Sequence, residues 1–196
     1  YVDVIIRQTN DLRRLVDEFS RFARMPEPDR RETDIAKLLR DIVLLQQDAV
    51  KAEIKADIPA TPVRVDCDAT MMAQVFTNLL KNASEAIDET RDHPPEGWHP
   101  EIRVALTEDH DAVTITIADN GPGLPEDRSR LFEPYVTLKP GGTGLGLPIV
   151  KKIVEEHGGS FTLTDAPGTG ALAELRLPRE RNPIRIARKN KEQDAT

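Results

Sequence analysis

The stretch Asn78-Leu-Leu-Lys-Asn-Ala-Ser-Glu-Ala86 lies within a strongly periodic segment, which predicts a helix over 69–88 with Asp68 as its N-cap. The predicted apolar face comprises Met72, Val75, Phe76, Leu79, Leu80, Ala83 and Ile87. Asn78, Asn82 and Glu85 fall at i, i+4 and i+7, so they project together from another face. Side-chain oxygens one turn apart suit an octahedral Mg2+ that also takes phosphate oxygens. A solvated polar face would show the same spacing.

The segment Asp119-Asn-Gly-Pro-Gly123 directly follows a predicted strand. An aspartate at the end of a strand can accept a hydrogen bond from an exocyclic amine. The glycines would allow the backbone to approach a flat base closely. Taken alone, the same residues are a turn signature.

The segment Gly141-Gly-Thr-Gly-Leu-Gly146 opens a helix predicted from about Leu145 to His157. Free N–H groups and the helix dipole favour an anion there. It is not a P-loop, because no Gly-Lys-Ser/Thr follows and Pro148 occupies the first turn. Together with Gly168-Thr-Gly170, which alone is an ordinary turn, the motifs predict metal-binding amides, a base acceptor and a phosphate loop.

The elements around these motifs predict a mixed α+β domain. Asp34 is a plausible N-cap for a helix that carries Ile35, Leu38, Leu39, Ile42, Val43 and Leu45. Alternating apolar residues predict strands over 52–58, 63–65, 102–106, 113–117, 161–163 and 171–177. The proline-rich residues 90–100 are predicted to form a loop.

The two ends of the chain differ from this domain. Ile5, Leu12 and Phe19 recur every seven residues and predict one amphipathic helix over 2–25, which Pro26 and Pro28 end. Such a seam needs a partner helix. Residues 29–34 are predicted to be a charged linker and residues 179–196 a basic, disordered tail.

Composition excludes several classes of protein. Among 196 residues, 27 are basic and 34 acidic, and the net charge of −7 argues against non-specific nucleic-acid binding. A single cysteine, Cys67, excludes a disulfide framework and favours a cytoplasmic location. No apolar run approaches the roughly 20 residues of a membrane span. Because the chain starts without methionine, we expect it to be part of a larger protein.

In order along the chain, the motifs resemble those of the histidine-kinase branch of the GHKL ATPases. They correspond to an N box (78–86), a G1 box (119–123), an F box (131–134), a G2 box (142–146) and a terminal Gly-Thr-Gly. The resemblance implies a Bergerat-type α/β sandwich with a mixed sheet over 35–178, preceded by one long dimerisation helix. Residues 1–28 are similar to the second dimerisation helix of nitrogen-regulation sensor kinases of the NtrY type.

The resemblance also implies ATP and Mg2+ as ligands. It makes Asn82 the principal Mg2+ ligand, with Asn78 beside it and Lys81 near the phosphates. It assigns the adenine amine to Asp119, with Gly121, Gly123 and Thr169 completing the base pocket. Backbone groups of Thr143, Gly144, Leu145 and Gly146 would bind the phosphates. Residues 124–142 would form a lid from which Lys139 could reach the γ-phosphate.

The expected reaction is transfer of the γ-phosphoryl group to a histidine and then to an aspartate of a response-regulator receiver domain. The four histidines are His93, His99, His110 and His157, and none lies on helix 2–25, so we expect the acceptor to be absent. His157 is expected to be structural. We further expect a homodimer through the dimerisation helices and an inner-membrane anchor in the full-length protein.

Two alternative functions are a GHKL ATPase that drives conformational change and a degenerate nucleotide-binding scaffold. In ATPases of that kind the first N-box position is usually a glutamate that activates water. Asn78 stands there instead, and an amide is not a base, so the kinase interpretation is favoured.

Overall fold

A computed structural model describes residues 25–91, 93–136 and 143–179, together with Val2, Ile6, Thr9 and Arg13. Those four isolated residues are helical. The rest of the predicted helix up to residue 24, Lys139 of the predicted lid and the tail from residue 180 lie outside the described residues.

The described part of the chain contains three helices and seven strands. The helices are α1 (Ile35–Gln47), α2 (Ala69–Arg91) and α3 (Gly146–Glu156). The strands are β1 (Arg31–Asp34), β2 (Glu53–Asp57), β3 (Arg64–Cys67), β4 (Glu101–Glu108), β5 (Ala112–Asp119), β6 (Ser160–Asp165) and β7 (Ala171–Pro178). Among these residues no helix is both long enough and apolar enough to cross a bilayer.

Five strands form one mixed sheet in the order β2-β4-β5-β7-β6. Strand β2 runs parallel to β4, and the other neighbours are antiparallel. Side chains of β4 alternate, so that Ile102, Val104 and Leu106 are buried while Arg103 is exposed. The predicted α+β class and mixed sheet are confirmed.

One hydrophobic core joins the three helices to the sheet. All seven residues predicted for the apolar face of α2 are buried, and Met71 is buried as well. Phe76 and Leu80 are fully buried, as are Ile115 of β5 and Leu175 of β7. The sequence therefore predicts this face correctly, although the helix continues to Arg91 rather than ending at residue 88.

The segment predicted to be a charged linker, 29–34, contains a strand. Strand β1 pairs antiparallel with β3, from Arg31 opposite Cys67 to Asp34 opposite Arg64. Arg31 and Glu32 are exposed, and the Glu32 carboxylate lies 2.6 Å from the Arg64 guanidinium. The linker prediction was wrong here because the pairing partner lies about thirty residues away and the strand carries no apolar alternation.

Helix α1 begins as the sequence predicts. The Asp34 carboxylate accepts a hydrogen bond from the Lys37 backbone N–H at 3.1 Å. The same oxygen accepts one from the Val63 N–H at 3.2 Å. Asp34 therefore caps the helix and also ties its start to the segment before β3.

Candidate functional site

Helix α2 presents the amide side chains of the N box. Its N-cap is Asp68, whose Oδ1 accepts from the N–H groups of Thr70 and Met71 at 2.9 and 3.0 Å. Because the opposite face is buried in the core, Asn78 and Asn82 are held at a half-buried face one turn apart. Lys81 is mostly exposed, and its Nζ lies 3.8 Å from Oε1 of Glu85.

The N box meets the start of α3. A Cβ placed on Gly146, the first residue of α3, would lie 3.7 Å from Oδ1 and 3.8 Å from Nδ2 of Asn82. The predicted metal-binding amide is therefore adjacent to the first turn of the predicted phosphate-binding helix.

The first turn of α3 has the features of an anion site. Its N-cap residue is Leu145, whose apolar side chain cannot accept a hydrogen bond from the first N–H groups of the helix. The first N–H groups of a helix have no intrahelical acceptor, and the helix dipole favours negative charge beside them. Leu145 is fully buried, so the position of this turn is fixed by the core.

Gly144 is required by its backbone conformation and by its neighbours. Its φ is +67°, and an added Cβ would lie 2.6 Å from the carbonyl carbon of Tyr135. Its carbonyl accepts a hydrogen bond from the Tyr135 N–H at 3.2 Å. This contact fixes the residues just before Gly146 against the end of the F-box segment. Thr143 is half-buried.

Asp119 ends β5 and is only 9% exposed. Its Oδ1 accepts hydrogen bonds from the Gly121 N–H at 2.9 Å and from the Ala171 N–H at 3.2 Å. These bonds fix the orientation of a nearly buried carboxylate, and a charged acceptor so fixed can recognise an amine.

Close backbone contacts explain the glycines around Asp119. A Cβ on Gly121 would lie 2.9 Å from the Ala86 backbone of α2, and one on Gly170 would lie 1.9 Å from the carbonyl oxygen of Asp119. A Cβ on Gly123 would lie 3.6 Å from the carbonyl oxygen of Gly170. From the Gly168-Thr-Gly170 motif, sequence reasoning assigned only Thr169, which is exposed, to the base pocket and gave Gly170 no role there. The positive φ of Gly170, +94°, is a further reason for glycine.

These contacts bring the three predicted motifs to one helix. On α2, Asn82 faces Gly146 and Ala86, one turn later, faces Gly121. The arrangement places the fixed Asp119 carboxylate at one end and the first turn of α3 at the other, with the Asn82 side-chain amide beside that turn. Among the described residues no cluster of three or more His, Cys, Asp or Glu side chains could hold a metal. A Mg2+ ion held by Asn82 and Asn78 would take its other ligands from water and phosphate oxygens.

A profile of histidine kinase-, DNA gyrase B- and HSP90-like ATPases matches residues 67–181. The chain belongs to this ATPase family. It is 47% identical over 184 residues to the nitrogen regulation protein NtrY of Azorhizobium caulinodans. The aligned region covers 91% of this chain and 23% of that relative. Within the family its sequence is similar to those of NtrY-type sensor histidine kinases, and residues 67–181 carry the ATP-binding domain.

Solved histidine kinases share the fold. The catalytic domain of ThkA is 27% identical with a TM-score of 0.65, over 77% of this chain and 96% of that chain. Full-length ShkA, solved in complex with AMPPNP, is 26% identical with a TM-score of 0.72, over 89% of this chain and 37% of that chain. The chain spans between 23% and 31% of the length of the first three sequence relatives, which include two NtrY-like proteins of Rickettsia.

The F-box segment of this ATPase domain is anchored in its described part, up to Val136. Phe132 packs edge-to-face on Phe161 of β6 with ring centroids 5.8 Å apart, and Nζ of Lys151 lies 5.1 Å from the Phe132 ring. Nη2 of Arg128 lies 2.8 and 2.7 Å from the two carboxylate oxygens of Asp165. The first part of the predicted lid is thus attached to β6 and α3.

His157 has a structural role in the ATPase domain, as the sequence predicts. It is 1% exposed, its Nε2 accepts from the Asp68 N–H at 2.9 Å, and its Nδ1–H donates to the Ile153 carbonyl at 2.7 Å. Burial lowers the pKa of the imidazole, and Arg30 lowers it further, whereas the Ile153 carbonyl, Asp68 and Asp66 oppose this shift. A neutral imidazole therefore joins the C-terminal end of α3 to the N-cap of α2. The other three histidines are exposed.

Proposed function

We propose that the chain is the catalytic part of a sensor histidine kinase that transfers the γ-phosphoryl group of ATP to a histidine, and through it to an aspartate of a response regulator. The observation that carries this proposal is the contact between Asn82 and Gly146. The Asn82 side-chain amide lies beside the first turn of α3, and this supports the proposal because nucleotide phosphates would need both an amide oxygen for their metal and free N–H groups of a helix start.

The bound nucleotide would extend from Asp119 to the first turn of α3. The Asp119 carboxylate would accept a hydrogen bond from the adenine amine, and Gly121, Gly123 and Thr169 would border the base. Backbone groups of Thr143, Gly144, Leu145 and Gly146 would bind the phosphates. Phosphoryl transfer depends mainly on alignment and charge neutralisation, so apart from the acceptor histidine and aspartate no side chain needs to form a covalent bond to the phosphoryl group.

Magnesium would supply charge neutralisation at the phosphates when bound. Asn82 and Asn78 would contribute amide oxygens to it, and Lys81 and Lys139 would add positive charge near the transferred group. Asn78 cannot act as a general base for water, because an amide has no basic oxygen at neutral pH. This supports phosphoryl transfer over simple ATP hydrolysis.

The acceptor histidine would lie on a dimerisation helix outside this chain. His157 is a poor candidate because both ring nitrogens are engaged within the core. His93, His99 and His110 lie in loops of the ATPase domain. By its resemblance to sensor kinases of the NtrY type, we further infer a response regulator as the second acceptor, a homodimer through the dimerisation helices, and a membrane anchor in the full-length protein.

The test is incubation of the chain with γ-labelled ATP and Mg2+, alone and with the missing first dimerisation helix supplied in trans. We expect acid-labile label on the added helix only, and further transfer when a cognate receiver domain is present. Acid-labile phosphohistidine on the chain alone would contradict the assignment of the acceptor. Release of inorganic phosphate at high turnover without labelled protein would favour the ATPase alternative.

A further inference from the structure

The second residue of the G1 box, Asn120, is fastened to the loop before β4 by three hydrogen bonds. The indole Nε1–H of Trp98 donates to the Asn120 carbonyl at 2.9 Å. The Asn120 Nδ2 donates to the His99 carbonyl at 2.7 Å, and its Oδ1 accepts from the Glu101 N–H at 2.9 Å. Both the backbone and the amide group of Asn120 therefore engage residues 98–101, which we call the β4 entry segment.

The β4 entry segment is itself fixed. Trp98 is half-buried against the hydrophobic core, and its backbone N–H donates to the Pro95 carbonyl at 3.1 Å. The Pro100 carbonyl accepts from the Glu53 N–H of β2 at 3.0 Å. Next to the segment, Ile102 of β4 pairs with Asp119 of β5. The segment therefore joins β2 and β4 to Asn120, the residue that follows Asp119, and we call this set of hydrogen bonds the brace.

We propose that Asn120 and Trp98 are positioning residues for base recognition by Asp119, an inference that rests on the proposed function. The Asp119 carboxylate is oriented on one side by the Gly121 and Ala171 N–H groups. Ala171 belongs to β7, whereas Gly121 lies in the turn after β5, so the Gly121 bond orients the carboxylate only while that turn stays in place. The brace holds the turn, because it ties Asn120 to the start of β4 and, through Pro100, to β2.

The geometry assigns Asn120 an indirect role. Its amide oxygen and amide nitrogen already bond to backbone groups of the β4 entry segment. It therefore acts through the placement of Asp119 rather than on the base. Loss of the brace should weaken recognition of the exocyclic amine specifically and leave binding of the triphosphate, which uses the start of α3, almost unchanged.

The experiment compares ATP with inosine triphosphate, which carries the same ribose and phosphates but lacks the exocyclic amine. Affinities are measured with the complete 196-residue chain. The variants are Asn120→Ala, which removes two hydrogen bonds, and Trp98→Phe, which removes one donor but keeps an aromatic ring. Thr33→Val is the matched control, because it removes a side-chain hydrogen bond to the backbone of β1 and β3.

We expect Asn120→Ala and Trp98→Phe to weaken ATP binding about three- to tenfold, the range for one or two lost neutral hydrogen bonds. Inosine triphosphate binding should change little, so the ratio of the two affinities should fall. The control should keep the wild-type ratio. A ratio in the brace variants equal to that of wild type would overturn the inference, since a merely structural role weakens both nucleotides alike.

A measurement on the unmodified chain keeps the inference testable if a variant fails to fold. Trp98 is the only tryptophan in the sequence. We expect its emission to change on saturation with ATP or AMP and to stay unchanged with tripolyphosphate. Constant emission while calorimetry shows saturation by ATP would contradict the inference alone. A wild-type chain that binds no ATP by calorimetry would contradict the proposed function as well.

Discussion

At the scale of single residues, the site depends on backbone groups that orient a few side chains. The Asp119 carboxylate is fixed by two N–H groups, and glycine at 121 and 170 is required because any Cβ would overlap neighbouring backbone. The motif spacing predicted Asp119 and Gly121. It could not predict Gly170, whose contact with Asp119 spans about fifty residues, nor the brace formed by Trp98 on Asn120.

Replacement of Asp119 by asparagine should reduce ATP affinity about ten- to hundredfold, since a buried polar group would be left badly paired. The amide oxygen of the new side chain can keep the bonds to the Gly121 and Ala171 N–H groups. The amide nitrogen then presents a donor to the adenine amine. Calorimetry is the measurement, and Asp109→Asn in the turn between β4 and β5 is the control. Wild-type affinity in Asp119→Asn would remove the adenine assignment.

Asn82→Ala should weaken Mg–ATP binding by about ten- to hundredfold, the range for disturbed metal ligation. Binding of ATP in the presence of a chelator should change little, because the phosphates still reach the start of α3. Titrations with and without Mg2+ measure the difference. Gln74→Ala on the exposed side of the same helix is the control. An equal loss under both conditions would mean that Asn82 does not hold the metal.

At the scale of elements, long periodic segments could be predicted and short paired ones could not. The apolar face of α2 follows from its spacing alone, and its N-cap follows from Asp68. Strand β1 escaped prediction because its four residues are polar and its stability comes from pairing with β3. The missed elements are those whose structure is determined by distant residues.

His157 connects two elements and makes stability depend on pH. Its pKa is lowered in the folded chain, whereas an unfolded histidine has a pKa of about 6.5. The unfolded state therefore binds more protons below that pH, so the contribution of His157 to stability is fully present above about pH 6.5 and is lost as the pH decreases toward the lower pKa of the folded chain. We expect a loss of up to about 1.4 kcal/mol per pH unit below this value.

Urea unfolding at pH 7.5 and 5.5 tests this expectation. His157→Gln should show a smaller loss between the two pH values, because its neutral amide does not titrate. His110→Gln, in an exposed turn, should behave like wild type. A pH dependence in His157→Gln as steep as that of wild type would contradict the assignment.

At the scale of the whole molecule, α2 and α3 pack side by side and define two ends of the domain. Asn82 and Gly146 meet at one end. His157 and Asp68 meet at the other, where the Asp29 N–H also donates to the Asp68 carboxylate at 3.0 Å. Residue 82 follows 68 along α2, while residue 146 precedes 157 along α3, so the two helices run antiparallel between the ends.

The antiparallel pair of α2 and α3 spans the domain between these two ends. The Arg30 guanidinium also donates to the Asp66 carbonyl of β3, at 3.1 and 2.9 Å, so residues 29 and 30 are attached near the Asp68 end of the helix pair, opposite the end where Asn82 meets Gly146. At about 1.5 Å per residue, the eleven residues of α3 make that helix roughly 16 Å long, which is the distance over which the pair extends. The two helices therefore join the attachment point of residue 29 at Asp68 to the contact of Asn82 with Gly146.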